Sequence, residues 1–154
     1  MPIQFKDGDL FATPSLKAFA HGCNCAGSMG KGIAVAFRKR WPRMFAEYKR
    51  RCASGAFGLG DVFLWQEADE SVFNLGTQTH WRAKATMDTV ETSLTSMLAL
   101  AETAGVEEIA LPRVGAGLGG LRWDDVRALL ELLAENTSVT LIVCENYVEL
   151  MPMR

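Results

Sequence analysis

Leu111-Pro-Arg-Val-Gly-Ala-Gly-Leu-Gly-Gly-Leu-Arg-Trp123 is the stretch on which the reading of this chain turns. A short apolar run, Glu108–Leu111, leads into it and stops at Pro112. Trp123, Val126, Leu129, Leu130 and Leu133 follow at the spacing of one helix face. Asp124 and Asp125 fall in that helix's first turn, where carboxylates complement the helix dipole. A glycine loop between strand and helix lets backbone N–H groups approach an anion, and the helix N-terminus adds positive potential. Gly115, Gly117 and Gly120 even satisfy G-x-G-x-x-G. By itself that match is weak, since a glycine turn is as often only a tight connection. A nicotinamide-binding Rossmann entry is excluded: that fingerprint opens the first βαβ unit, whereas one helix and one strand remain here.

Working outward, a second glycine-rich stretch reads Asn24-Cys-Ala-Gly-Ser-Met-Gly-Lys-Gly-Ile-Ala34. It too runs from an apolar strand, Lys17–Gly22, toward a helix carrying Ile33, Phe37 and Trp41 on one face. It is not a Walker A loop, because Gly32 stands where Ser or Thr is needed and Cys25 where the first glycine is needed. Two such loops can flank one crevice at the carboxyl ends of strands and grip a diphosphate from both sides.

The remaining pattern alternates strands and helices. Ile3–Phe5 is a short strand; Pro42 ends or kinks the first helix, and Met44, Phe45 and Tyr48 mark a second helical piece. Asp61–Trp65 and Ser71–Leu75 are strands joined by the polar connection Gln66–Glu70, and Gly55–Gly60 is a surface turn. Val90, Leu94, Met97, Leu98 and Ala101 form a helix stopped near Gly105, and Val139–Cys144 is a last buried strand. Such alternation predicts a layered α/β fold with a parallel or mixed sheet. The chain has 154 residues, 49% hydrophobic and 22% charged, so one folded domain is expected and a disordered or fibrous chain is excluded. A net charge of −2 leaves no broad basic field for tracking along nucleic acid. No apolar run is long enough to span a membrane, and the first residues carry no secretory signature, so a cytoplasmic location is expected. The four cysteines, at 23, 25, 52 and 144, read as reduced thiols. His21-x-Cys23-x-Cys25 is one ligand short of a structural zinc site, and no metal or cofactor is expected.

Gly8-Asp9-Leu10, the Asn24…Met29-Gly-Lys-Gly-Ile-Ala34 loop and the Leu111–Trp123 block together resemble a macro domain in order and spacing, over nearly the whole chain. The Met-Gly-x-Gly-Ile-Ala loop and the Gly-Leu-Gly-Gly-Leu-x-Trp ending look closest to the branch of the terminal ADP-ribose protein glycohydrolase and of the antitoxin macro domains that reverse DNA ADP-ribosylation. The resemblance implies a three-layer α/β/α fold with a mixed central sheet, a single domain over 1–154, and ADP-ribose in a cleft. It implies that Asp9 accepts from the adenine amino group and that the Leu10 backbone contacts adenine; an Asp before an apolar residue is otherwise a turn residue. Asn24 would stand beside the distal ribose, and Met29, Gly30, Gly32 and Ile33 would line the first loop. Val114, Gly115, Ala116, Gly117, Leu118 and Gly119 would wrap the phosphates, with Glu145 and Asn146 as the adenine-side wall; Tyr147 reads either as part of that wall or as an ordinary partly buried aromatic.

The chain departs from that branch at the reacting end. Antitoxin-like members carry a nucleophilic lysine where this chain has Gln78, and a glutamine cannot form a Schiff base. Other members pair the lysine with an aspartate at the position of Gly119. Lys31 and Lys84 are the nearby lysines, and both read as surface residues. Gln78, Thr79 and His80 are then the candidate catalytic groups, for a water oriented by the diphosphate and a polar side chain. The expectation is an ADP-ribosyl hydrolase acting on mono-ADP-ribosyl links to acidic protein side chains or DNA bases without the lysine. The alternatives are a non-catalytic reader of ADP-ribose or ADP-ribosylated targets, and a protein outside that family that binds another nucleotide or runs a metal-dependent reaction built on His21, Cys23 and Cys25. ADP-ribosylated protein or DNA is the expected partner, with a monomer and no membrane. Arg38-Lys-Arg40, Arg43 and Lys49-Arg-Arg51 form a basic run that reads as a solvated helix face, and would hold a DNA strand only if it faced the cleft.

Overall fold

The computed structural model describes residues 2–146. The elements run β1 (Ile3–Asp7), β2 (Ala18–Asn24), α1 (Ala34–Arg40), α2 (Pro42–Ser54), β3 (Val62–Glu67), β4 (Glu70–Gln78), α3 (Met87–Ala104), β5 (Glu108–Leu111), α4 (Trp123–Ala134) and β6 (Thr140–Asn146). The strands form one six-stranded sheet in the order β1-β6-β5-β2-β4-β3. All neighbours are parallel except the β3–β4 hairpin. The carboxyl ends of β4, β2, β5 and β6 therefore lie side by side along one edge.

Strand alternation sorts the core into two halves, since successive side chains point to opposite faces. Ala18, Ala20, Phe73, Leu75, Ile109, Leu111, Leu141 and Val143 face one way, onto Val90, Leu94 and Met97 of α3 and Val126 and Leu130 of α4. Phe19, Cys23, Val72, Ala110, Ile142 and Cys144 face the other, onto Phe37 of α1 and Met44 and Tyr48 of α2. The result is the expected three-layer α/β/α arrangement with a mixed sheet. Trp41 separates α1 from α2. The proline after it disfavours helical backbone at Trp41, which adopts φ −129° and ψ 73°, and Pro42 then opens α2. Thr86 caps α3 by accepting from the Thr89 N–H, and Gly105 ends it with φ 75°.

One expectation needs correcting. Gly55–Gly60 is more than a surface turn: Phe57 is buried, and Gly60 N–H donates to the Gly76 carbonyl at 2.8 Å. The Gly58 carbonyl lies where a Cβ on residue 76 would stand, 2.3 Å away, so the absent side chain at Gly76 lets this segment pack against β4.

Candidate active site

A cavity of about 470 Å³ opens over the carboxyl ends of β4, β2, β5 and β6. That volume lies within the range of small-molecule sites. Its walls are the two glycine loops, with Thr77 and Gln78 of β4, Trp81 beyond it, and Cys144 and Glu145 of β6. Of the residues expected at a ligand, Asn24, Met29, Gly30, Gly32, Ile33, Val114, Gly115, Gly117, Leu118 and Gly119 line this cavity.

Asp9, Leu10, Ala116, Thr79 and His80 are outside that lining. Asp9 Oδ1 accepts from the Phe11 N–H at 2.9 Å, a turn-residue role, and Leu10 is buried in the core on the α1–α2 side. Both follow β1, which pairs in parallel with β6, so they stand at the same sheet edge as Glu145. Thr79 and His80 are exposed, and His80 Nδ1 accepts from the Arg82 N–H at 3.2 Å. Both lie in the bend that follows β4, beyond Thr77 and Gln78, which do line the cavity. Asn146 pairs with Asp7 in the sheet, and Tyr147 lies outside the described residues.

The first loop is shaped by side chains. Asn24 Nδ2 donates to the Ser28 carbonyl at 2.9 Å and to its hydroxyl at 3.0 Å, while Oδ1 accepts from the Ala26 N–H at 3.0 Å. Tyr48 reaches up from α2, and its hydroxyl donates to the Asn24 carbonyl at 2.7 Å. Burial pushes the Tyr48 phenol well above its ordinary pKa, so that donor is permanent. Asn24 is thus committed to the loop as well as lining the cavity. Helical spacing places Tyr48 on the buried face of α2, but nothing local in sequence tells that its hydroxyl meets Asn24.

The second loop is held mainly by its own backbone. Leu121 N–H donates to the Gly115 carbonyl at 3.0 Å, and Gly120 N–H to the Gly117 carbonyl at 3.2 Å. Among the described residues, the N–H groups of Gly115, Gly117, Leu118 and Gly119 donate to no protein acceptor. Unpaired N–H groups before a helix form an arrangement that can hold an anion. A Cβ on Gly119 would stand 2.5 Å from the Gly115 carbonyl oxygen, so this loop has no room for a side chain at that position.

Gln78 joins the loops to the segment between them. Its Nε2 lies 2.7 Å from the Ala83 carbonyl and 3.4 Å from the carbonyls of Trp81 and Leu118. Ala85 N–H donates to the Gly119 carbonyl at 2.9 Å, closing the same junction. Gln78 is therefore a clasp at the cavity wall.

Beneath the first loop, His21 is fully buried and stacked on Phe37 at 3.7 Å. Its Nε2 is 2.7 Å from Asn74 Oδ1, whose Nδ2 donates to the Phe63 carbonyl. The Asn74 amide is thereby oriented with its oxygen toward the ring, so His21 Nε2 is the donor. Cys23 Sγ stands 3.3 Å from that nitrogen but finds no base there. Burial lowers the His21 pKa to about 4 and drives the Cys23 thiol well above its ordinary range. Burial also raises Cys25 to about 11 and pushes Cys144 up. These groups are thiols, not nucleophiles, at neutral pH. Among the described residues no three His, Cys, Asp or Glu side chains gather as a metal site. Glu145 Oε2 accepts from Trp123 Nε1 at 2.8 Å and Arg127 Nη1 at 2.6 Å, which leaves it poorly suited as a base.

The basic run of α1 and α2 is a solvated face. Arg40 pairs with Glu70, Arg43 with Glu67, and Arg50 and Arg51 with Glu47; none of these lines the cavity. Lys31 does line it, with Nζ 5.0 Å from the centroid of the Trp81 ring. Lys84 is exposed. Among the described residues, no helix is long and apolar enough to cross a membrane.

The fold and cleft define a three-layer protein with a cavity between two glycine loops at the carboxyl ends of parallel strands. Residues 20–130 match the Macro domain family model, and the chain belongs to that family. It is 32% identical over 132 residues to the DNA ADP-ribosyl glycohydrolase of Mycobacterium tuberculosis, covering 83% of this chain and 37% of that protein. It is 30% identical over 141 residues to the human ADP-ribose glycohydrolase OARD1, covering 92% of this chain and 90% of that one. The solved macrodomain of Thermus aquaticus DarG matches it with a TM-score of 0.85 at 31% identity, over 93% of this chain and 97% of that one. The chain thus spans well under half the length of the mycobacterial relative.

Proposed function

We propose that residues 1–154 form a single macro domain that binds ADP-ribose and hydrolyses mono-ADP-ribosyl links on acidic protein side chains, DNA bases or both. The observation that carries the reading is the cavity itself, with its unpaired N–H groups at Gly115, Gly117, Leu118 and Gly119 facing a second glycine loop. That pairing suits a pyrophosphate held between two loops, with the distal ribose toward Asn24 and Gln78 and the adenine toward Glu145. Asp9, Leu10 and Asn146 would contribute from the β1–β6 edge. The names of the mycobacterial and human relatives support the same ligand and reaction class.

Hydrolysis proceeds without the lysine. A water held in the cavity attacks the anomeric carbon of the distal ribose, the bond from that carbon to the carrier breaks, and the carrier departs with the bonding pair, as a carboxylate or as a deprotonated base nitrogen. The attacking water's proton passes to an oxygen of the substrate's own pyrophosphate. Preorganised N–H groups hold that pyrophosphate in place and favour the developing charge distribution. Gln78 fixes the wall against which the water sits and takes up no proton. A monomer in the cytoplasm, with no membrane attachment, completes the proposal.

The second reading, a reader without turnover, is favoured by one observation: a glutamine clasp stands where the branch keeps its nucleophile. Release of free ADP-ribose from a mono-ADP-ribosylated thymidine oligonucleotide and from an ADP-ribosylated glutamate peptide tests the two. Catalytic release supports the hydrolase, and saturable ADP-ribose binding without release supports the reader.

A further inference from the structure

We propose that Trp81, flanked by Lys31 and Arg82, is a docking platform for the single-stranded DNA that carries the ADP-ribosyl group. One neighbouring base would stack on the indole, with its phosphates on the two cations. The proposal rests on reading the cavity as an ADP-ribose site and adds what lies outside its mouth. Trp81 lines the cavity and is 37% exposed, so part of its ring faces solvent at the cavity mouth. Lys31 Nζ lies 5.0 Å from the ring centroid and the Arg82 guanidinium carbon 4.6 Å from it. The two cations come from different segments, the first glycine loop and the turn after β4. An aromatic face with cations beside it is the usual arrangement for an unpaired base and its backbone, because every base has a π face and every step a phosphate. A base that displaces one cation from the ring leaves that cation beside its own phosphate.

The platform is rigidly placed. The Gln78 clasp holds the Trp81 and Ala83 carbonyls, Ala83 N–H donates to the His80 carbonyl at 3.0 Å, and Ala85 N–H is tied to Gly119. The charge also sits where a strand would emerge. Among the described residues Lys31, Arg82 and Lys84 form no ion pair, whereas Arg40, Arg43, Arg50 and Arg51 on the far helix face are all paired with glutamates. The cavity's own carboxylate, Glu145, is already engaged by Arg127. An acidic peptide would use the cations alone and have no need of the ring. Dependence on the ring therefore favours DNA over protein.

The test uses the full chain, a labelled unmodified thymidine octanucleotide read by fluorescence anisotropy, and ADP-ribose read by calorimetry. Trp81→Ala should weaken oligonucleotide binding about tenfold more than it weakens ADP-ribose binding, and Trp81→Phe should restore most of that loss. Arg82→Gln should leave ADP-ribose affinity within about twofold and reduce the salt slope of oligonucleotide binding by roughly 0.7. The proposal is overturned if the wild-type chain fails to bind the oligonucleotide or if Trp81→Ala weakens both ligands equally. It is also overturned if an ADP-ribosylated glutamate peptide depends on the ring more than the oligonucleotide does. Trp81-dependent oligonucleotide binding in a chain that ignores ADP-ribose would leave the platform standing and remove the proposed function instead.

Discussion

The two glycine loops face each other across one cavity but are built on different principles. The loop after β2 takes its shape from side chains: Asn24 bridges Ala26 and Ser28, and Tyr48 reaches in from another helix. The loop after β5 takes its shape from missing side chains, with backbone hydrogen bonds at Gly115 and Gly117 and no room for a Cβ at Gly119. The first can be loosened by removing one hydroxyl, while the second is most sensitive to something added. The second is therefore the more rigid wall, and the first is the wall that can be tuned.

The largest effect should come from adding to the rigid wall. Gly119→Ala forces a methyl group to within 2.5 Å of the Gly115 carbonyl unless the loop moves. Its ADP-ribose affinity should fall at least about a hundredfold, roughly 3 kcal/mol or more, by calorimetry. A loss of less than about threefold would show that the loop tolerates rearrangement.

Beneath the tunable wall, His21 makes the fold sensitive to acid. Its pKa is lowered from 6.5 to about 4, so between those values the unfolded chain binds a proton the folded chain refuses. The stabilisation is fully present above pH 6.5 and is lost as pH falls toward 4, up to about 3 kcal/mol in all. Denaturant titrations across that window should show His21→Gln with a shallower pH dependence than wild type. Parallel curves would place the acid sensitivity elsewhere.

Tyr48→Phe tests the side-chain-built loop directly. The ring stays in the core while the donor to Asn24 is lost. Stability should drop by about 1–2 kcal/mol, and ADP-ribose affinity by about fivefold. Gln78→Ala should cost about 1 kcal/mol in thermal unfolding, because three backbone carbonyls lose a shared donor. Its effect on turnover separates a clasp from a catalyst, since a clasp changes affinity and rate together by a modest factor. Smallest of all, Arg50→Gln removes an exposed partner of Glu47 on the distant helix face. It should leave stability within about 0.5 kcal/mol and activity unchanged.

Most of the fold could be read from the sequence because hydrophobic periodicity records which face of each element is buried. Val90 to Ala101 marked α3 almost to its glycine stop, and Pro42 divided α1 from α2 where it stands. The glycine block of residues 111–123 was equally readable, since backbone geometry there is a property of the local residue types. What depends on distant partners was not. Tyr48 lies 24 residues from Asn24, and Gln78 lies 40 from Leu118, and no spacing rule connects them. His80 has the chemistry of a catalyst, yet it lies in the bend after β4 and outside the cavity lining, while its neighbour Trp81 lines the cavity. The plain turn expected at Gly55–Gly60 failed for the same reason, because its packing depends on the absent side chain of Gly76.

The most direct test of the central claim is a calorimetric titration of wild-type protein and Gly119→Ala with ADP-ribose, beside circular dichroism to verify the fold of both. The account predicts saturable one-to-one binding to wild type and at least a hundredfold weaker binding to a folded Gly119→Ala. No saturable binding to wild type, or equal binding by both proteins, would contradict the assignment of this cavity to ADP-ribose.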